Sequence, residues 1–147
     1  MTTHMADFDL PDSMKLHPSR KPVIGNAEFR AAMAAMASTV SVVTARQGEE
    51  VIGRTVTSML SLTMNPPSIL IRLADIIAKS HGFSLAMLAD DQQAVGDAFA
   101  GGLPAAERFT AGDWSRWPSG HPMLLGAVTA LDCDVIGAIE TGTHVLF

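Results

Sequence analysis

Only one cysteine, Cys133, occurs in the 147 residues. That count excludes an internal disulfide framework and any zinc site built from several thiolates, and it fits a reducing compartment, the cytoplasm. No apolar run approaches the roughly 18 residues a spanning helix needs. The opening "MTTHMADFDLPDSMKLHPSRK" also lacks the apolar heart of a signal peptide. The reading is a soluble protein with no membrane partner. Basic residues are scarce: ten Lys and Arg against fifteen Asp and Glu leave a net charge of −5, with no basic block. This argues against nucleic acid as a partner, and any anion must be held by local geometry, because the overall field repels it weakly. There is no Gly-x-Gly-x-x-Gly turn, no Walker phosphate loop and no Gly-x-Ser-x-Gly elbow. The histidines are scattered without a His-x-x-x-His pair, so no metal site is expected.

What is present is an apolar chain, 48% hydrophobic and 17% charged, long enough for one packed domain. Residues 1–23 mix Pro11, Pro18 and Pro22 with charges and read as an extended arm ahead of a domain spanning 24–147. Asn26 is the expected N-cap of a helix whose stripe of Phe29, Ala32, Met33 and Met36 faces the core. "TVSVVTA" (Thr39–Ala45) and "VIGRTVTS" read as two strands joined by a turn at Gly48. "SILIRLA" (Ser68–Ala74) and "FSLAMLA" (Phe83–Ala89) have strand length, and Asp90 or Asp91 opens a second helix that stops at Gly101-Gly102. Leu103–Pro122 reads as a long irregular segment, Ala127–Ile139 as one strand bent at Gly137, and "THVLF" as the start of another. Many short strands and few helices predict a mainly β fold, an antiparallel barrel with helices at its margin. An apolar last strand leaves an open edge, to be covered by a partner copy or by further chain.

The most distinctive segment is "GRTVTSMLSLTMNPP" (Gly53–Pro67), which carries five hydroxyls, one arginine and no acid. Thr55, Thr57, Ser58, Ser61 and Thr63 alternate imperfectly, so some must point inward or lie on a turn, where each needs a partner. Two readings stand: a hydroxyl-rich hairpin surface, or an anion cradle of hydroxyls and backbone N–H groups with Arg54 as counter-charge. Lys79 and Ser80 are placed to complete the second. Cys133 alternates with Leu131 and Val135 and reads as a packed, inert thiol. Trp114 and Trp117 either pin their loop to the body or shield a ligand, and the first is favoured.

These segments resemble, in order, the short-chain flavin reductases, FMN-binding split-barrel proteins. "FRAAMAAMASTVSVVTA" is similar to the family's opening helix and first strand, and "GRTVTSMLSLTMNPP" to its most specific motif. "SLAMLADDQ", "ERFTAGDW…GHPMLLGAVTALDCDV" and "GTHVLF" resemble later family segments. The chain departs from the family pattern at Thr57, where Asn is usual, at Thr143, where Asp is usual, and at Arg72, where a small residue is common. The linker after His81 is shorter than in the family, and the domain is shortened at its C-terminus relative to family members.

The resemblance implies a homodimeric split antiparallel β-barrel with flavin near the subunit interface. It implies phosphate and ribityl contacts from Arg54, Thr55, Val56, Thr57, Ser58, Ser61, Leu62 and Thr63, with Lys79, Ser80 and His81 adding to them. It places His144 near the flavin and nicotinamide and requires no side chain to act as acid, base or nucleophile. The implied activity is NAD(P)H:flavin oxidoreductase, with FMN favoured over FAD and NADH or NADPH as hydride donor. Reduced flavin would then supply the oxygenase component of a two-component monooxygenase. The competing reading is a flavin carrier or sensor on the same barrel, without nicotinamide turnover.

Overall fold

The computed structural model describes residues 20–73, 77, 79–141 and 144–147. Most of the expected N-terminal arm, together with Thr143, lies outside the described residues. The chain forms two compact units, one ending at Ala37 and one comprising Ser38–Phe147. In the first, helix α1 (Asn26–Ala34) begins one residue earlier than the cap expectation: Gly25 is the N-cap, and its N–H donates to the Glu28 carboxylate at 3.1 Å. No residue of α1 is buried, and Phe29, Met33 and Met36 are all exposed. The apolar stripe is there, but it does not enter a core.

The described residues of the second unit form ten strands: β1 (Ser41–Gln47), β2 (Glu50–Val56), β3 (Met59–Met64), β4 (Pro67–Leu73), β5 (Gly82–Met87), β6 (Trp114–Arg116), β7 (Pro122–Leu124), β8 (Thr129–Asp134), β9 (Ile139–Thr141) and β10 (His144–Leu146). They form an antiparallel sheet ordered β2-β1-β5-β8, a second ordered β3-β4-β10-β9, and the small hairpin β6-β7. The β1–β2 turn is the expected one, with Gly48 at φ 62° in a two-residue loop between Gln47 and Glu50.

Two apolar cores flank the first sheet. Its inner face contributes Val43, Ala45, Val56, Phe83 and Leu85 to a core completed by Ile71 and Phe147 of the second sheet. Its outer face contributes Val42 and Ala86 to a core capped by Val95, Phe99 and Leu124. Being covered on both sides, β1 is buried continuously from Ser41 to Ala45, with Ser41 and Thr44 interrupting its apolar residues.

Three segments differ from expectation. The residues 127–139 do not make one bent strand: β8 belongs to the first sheet, β9 to the second, and the chain crosses between them at 135–138. "Irregular" residues 103–122 contain a short helical turn, Ala105–Thr110, and half of the β6-β7 hairpin. β3 is a strand of its own, and five of its six residues are exposed, so no inside–outside alternation marks it in the sequence.

The outer core depends on a missing side chain. A Cβ at Gly53 would lie 2.5 Å from the Phe99 ring, and that ring stacks edge-on with Phe109 at 5.0 Å and meets Trp114 at 5.4 Å. Gly53→Ala should therefore cost about 1–3 kcal/mol, read as a lower urea midpoint at unchanged slope; a midpoint equal to wild type would contradict the packing argument. A second liability lies on β1. Among the described residues, buried Ser41 Oγ has no hydrogen-bond partner, and an unmet buried hydroxyl costs about 1–3 kcal/mol. Ser41→Ala is expected to raise the same midpoint.

Candidate functional site

The structure sorts the predicted residues into three groups by what their side chains already do. Thr55, Ser80 and Thr63 are committed internally. Thr55 Oγ1 donates to the Gly96 carbonyl at 2.6 Å, which ties β2 to the helical segment α2 (Gln93–Asp97). Ser80 Oγ lies 2.7 Å from the Gly82 carbonyl and 3.0 Å from that of Ile77, and its single proton serves one of them at a time. Thr63 Oγ1 accepts the Asn65 N–H at 3.2 Å, a local turn contact. Val56 is buried in the inner core and has only its backbone to offer a ligand.

A second group is uncommitted. Arg54, Thr57 and Ser58 are exposed, and among the described residues none makes a side-chain hydrogen bond or ion pair. Arg54 shares the inward side of β2 with Ile52 and Val56, because it is paired with Val43. It emerges where the sheet edge turns into β3. The Ser58 carbonyl accepts the Arg72 N–H at 3.2 Å, so the start of β3 is held against the end of β4. A guanidinium and two free hydroxyls within five residues are the donor set a phosphate requires. Lys79 and His81 are also exposed and uncommitted through their side chains. His81 takes a left-handed φ of 56°, and its carbonyl accepts the Val135 N–H at 2.9 Å. The side chain of His144 is not among the described ones; its backbone pairs with Thr141 in the β9–β10 hairpin.

Strand register separates these groups. Val56 pairs with Ser41, which pairs with Met87 at the far end of β5. Gly82, which follows His81, continues that register to the level of Arg46. Arg54 itself pairs with Val43, so along β1 about 10 Å separates Arg54 from the level of Gly82, and about 17 Å separates Val56 from it, at 3.4 Å per residue.

Ser61 and Thr63 go elsewhere again. They line a groove of about 580 Å³ between the β3–β4 hairpin and β8. Its floor is Ile69, Phe83, Leu131, Cys133, Val135 and Phe147; Asp132 and Asp134 border it as members of β8, but their side chains alternate to the opposite face of that strand, where the Asp132 carboxylate accepts from the Ser119 hydroxyl. The described lining includes no lysine, arginine or histidine. The sequence reading missed this groove, because its apolar members look like ordinary core positions until strand order leaves them uncovered.

The remaining conspicuous residues hold the scaffold. Arg108 donates from Nη1 to the Gly53 carbonyl and from Nε to that of Leu103, at 3.1 and 3.2 Å. Trp117 Nε1 donates to Ser84 Oγ at 2.9 Å and pins its segment to the body; Trp114 Nε1 donates within the segment, to Ala111 O at 2.7 Å, and its ring packs against Phe99. His121 is buried, and its Nδ1 accepts the Arg46 N–H at 3.1 Å. Gln92 bridges two backbones, accepting from Ala89 N–H and donating to Leu125 O. Among the described residues no cluster of three or more His, Cys, Asp or Glu is arranged to hold a metal ion.

With this geometry in place, comparison with known proteins is direct. The flavin reductase like domain model matches residues 33–147, and the chain belongs to that family. An FMN reductase (NADH), RutF, of Ancylobacter novellus is 34% identical over 136 residues, covering 88% of this chain and 75% of the relative. The reductase component of an FADH(2)-dependent resorcinol hydroxylase from a Rhizobium species is 35% identical over 127 residues, covering 81% and 71%. Among solved structures, the NADH:FAD oxidoreductase of Streptomyces globisporus superposes with a TM-score of 0.77 at 26% identity, covering 86% of this chain and 81% of that one. BorF, the flavin reductase component of a bacterial two-component tryptophan halogenase, gives 0.76 at 26%, covering 84% and 82%. The expected fold, a mainly β split barrel, is the one observed. No helix among the described residues is long and apolar enough to cross a membrane.

Cys133 behaves as its strand position predicts. Leu131, Cys133 and Val135 all pack against the inner core, while Asp132 and Asp134 face out. Burial, with added repulsion from the Asp132 and Asp134 carboxylates, pushes the thiol up to about 11. Since only the thiolate reacts, alkylation of this cysteine should accelerate about tenfold per pH unit from neutrality to about pH 10. A rate that levels off near the ordinary thiol range would contradict the burial argument.

Proposed function

We propose that this protein is an NAD(P)H:flavin oxidoreductase that reduces FMN and delivers it to the oxygenase component of a two-component monooxygenase. The observation that carries the reading is the match of the flavin reductase like domain over residues 33–147, on a split barrel that keeps Arg54, Thr57 and Ser58 uncommitted. Relatives named as NADH-dependent FMN reductases and as reductase components of flavin-dependent oxygenases support the direction of the chemistry. FMN is favoured over FAD, and NADH over NADPH. A lone thiol suits the cytoplasm as its compartment.

In this reading the bound flavin supplies the ring that accepts a hydride from the nicotinamide, and the chain's own residues bind and orient. Arg54 gives the phosphate a counter-charge, while Thr57 and Ser58 donate hydroxyl hydrogen bonds and Thr55 and Val56 offer main-chain groups. Ser61, Leu62 and Thr63 continue the contact surface along β3. Lys79, Ser80 and His81 would serve the ligand from the other end of the sheet, and the family resemblance would put His144 near the flavin and nicotinamide. No side chain has to transfer a proton. The chain's catalytic contribution would be to hold flavin and nicotinamide in the orientation that the transfer requires.

Arg54 and Lys79 belong to segments set apart along β1, by about 10–17 Å from the level of Gly82, and this favours a site completed by two copies, that is, a homodimer. β3 is suited to the contact, being an edge strand with Leu60 and Leu62 exposed at 59% and 60%.

Two measurements test the proposal. Purified protein with FMN and NADH should consume the nicotinamide absorbance far faster than buffer. Flavin fluorescence quenched stoichiometrically without NADH loss would instead favour a carrier. In the second, Arg54→Ala with Ser58→Ala should weaken FMN by about tenfold or more, roughly 1.4 kcal/mol, and leave riboflavin, which lacks the phosphate, nearly unchanged. Equal losses for both ligands would sink the cradle.

A further inference from the structure

The outer cover of the first sheet leaves a cavity of about 500 Å³, lined by Val51, Phe109, Trp114, Ser115, Arg116 and Pro122. Alternation decides which side chains enter it. Gly53 faces the Phe99 ring, so Val51, two residues earlier on β2, is directed to the same outer side. Trp114 packs against Phe99 at 5.4 Å and Phe109 at 5.0 Å, which turns that face of β6 toward the body. Arg116, two residues further on, shares the face, and so does its cross-strand partner Pro122, which is buried. Ser115 lies between them and turns away. The cavity therefore has aromatic and aliphatic walls and one guanidinium. It sits on the outer side of the first sheet, whereas Phe147 packs in the inner core on the other side.

The polar groups around it are unequal. No carboxylate lines the cavity, and among the described residues the Arg116 side chain makes no hydrogen bond or ion pair. Neighbouring donors are committed elsewhere. Trp114 Nε1 donates to Ala111 O, and Arg46, the cross-strand partner of Val51, bonds Gly48 O and the Glu49 carboxylate. A cation against apolar walls attracts an anion more strongly than one in open water does. A carboxylate can accept two parallel N–H bonds from a guanidinium. The half-buried rings of Phe109 and Trp114 offer flat surface to a second ring. The volume lies in the range of small-ligand sites.

We propose that this cavity binds a small aromatic carboxylate, with its ring against Phe109 and Trp114 and its carboxylate on Arg116. Charge complementarity selects the acid, and the ring walls select its planar body. The assignment does not depend on the flavin reading: it uses no residue of Arg54–Thr63 or Lys79–His81.

Benzoate, benzamide and cyclohexanecarboxylate, titrated calorimetrically into the complete 147-residue chain, separate these contributions. Benzoate should bind at least about tenfold tighter than neutral benzamide, as one charge-assisted pairing implies. It should also weaken with added salt and raise the thermal midpoint. Cyclohexanecarboxylate, which has the charge without the flat ring, should bind more weakly than benzoate. Arg116→Gln should bring benzoate down to benzamide and leave the ligand-free midpoint unchanged, since Arg116 is exposed. Arg116→Lys, which keeps the charge but not the fork, should retain part of the preference. Val51→Trp, which fills the cavity from another strand, should weaken all three probes alike. Absence of benzoate binding, equal binding of benzoate and benzamide, or benzoate binding unaffected by Arg116→Gln overturns the proposal. Cyclohexanecarboxylate binding as tightly as benzoate overturns the aromatic assignment. If FMN or NADH displaces benzoate competitively, the cavity belongs to the flavin site and the proposal is wrong.

Discussion

Burial of β1 on both faces is the constraint from which the rest of the molecule follows. A strand with Val43 and Ala45 on one side and Val42 on the other needs an apolar cover above and below it. The second sheet provides one cover and closes the barrel. The segment from α2 through the β6-β7 hairpin provides the other, and it fits only because Gly53 leaves room for the Phe99 ring on the neighbouring strand. The same glycine opens the most distinctive segment of the sequence. Its role is packing, and the residues after it are freed for a ligand because the fold is secured upstream of them.

Polar contacts then fix the position of that outer cover. Arg108 grips the Gly53 carbonyl, Trp117 reaches Ser84, His121 accepts from Arg46, and the Thr44 hydroxyl donates to the Pro122 carbonyl at 3.1 Å. Each joins a side chain to a group that would otherwise be buried or half-buried without a partner, so each is expensive to lose. A segment that reads as a long loop is therefore tied down at four points. The exposed residues Arg54, Lys79 and His81 stand outside this network, with no side-chain partner among the described residues.

Much of the architecture was legible in the sequence. β1, β2, β4 and β5 announce themselves through β-branched runs and a glycine turn, and the ordered motifs point to the split barrel. What stayed hidden has a physical reason in each case. β3 is exposed on nearly every residue, so no period reveals it. The residues 127–139 look like one strand because propensity does not register that a chain changes sheets. The stripe on α1 has the right spacing, yet spacing alone does not say what covers it. At the candidate site, the hydroxyls could be counted but not apportioned. Thr55 and Ser80 satisfy carbonyls, Thr57 and Ser58 have no side-chain partner among the described residues, and Ser61 and Thr63 face an apolar groove. Only the register of the strands separates them.

β3 carries a further consequence. Leu60, Leu62 and Met64 are exposed on a strand at the margin of its sheet, with Met64 at 89%. A naked apolar margin of this kind recruits any extended chain that meets it, the molecule's own siblings during synthesis included. Yield of native material is thus governed by a race between orderly assembly and precipitation, one that slows translation or dilution would tilt toward the native form.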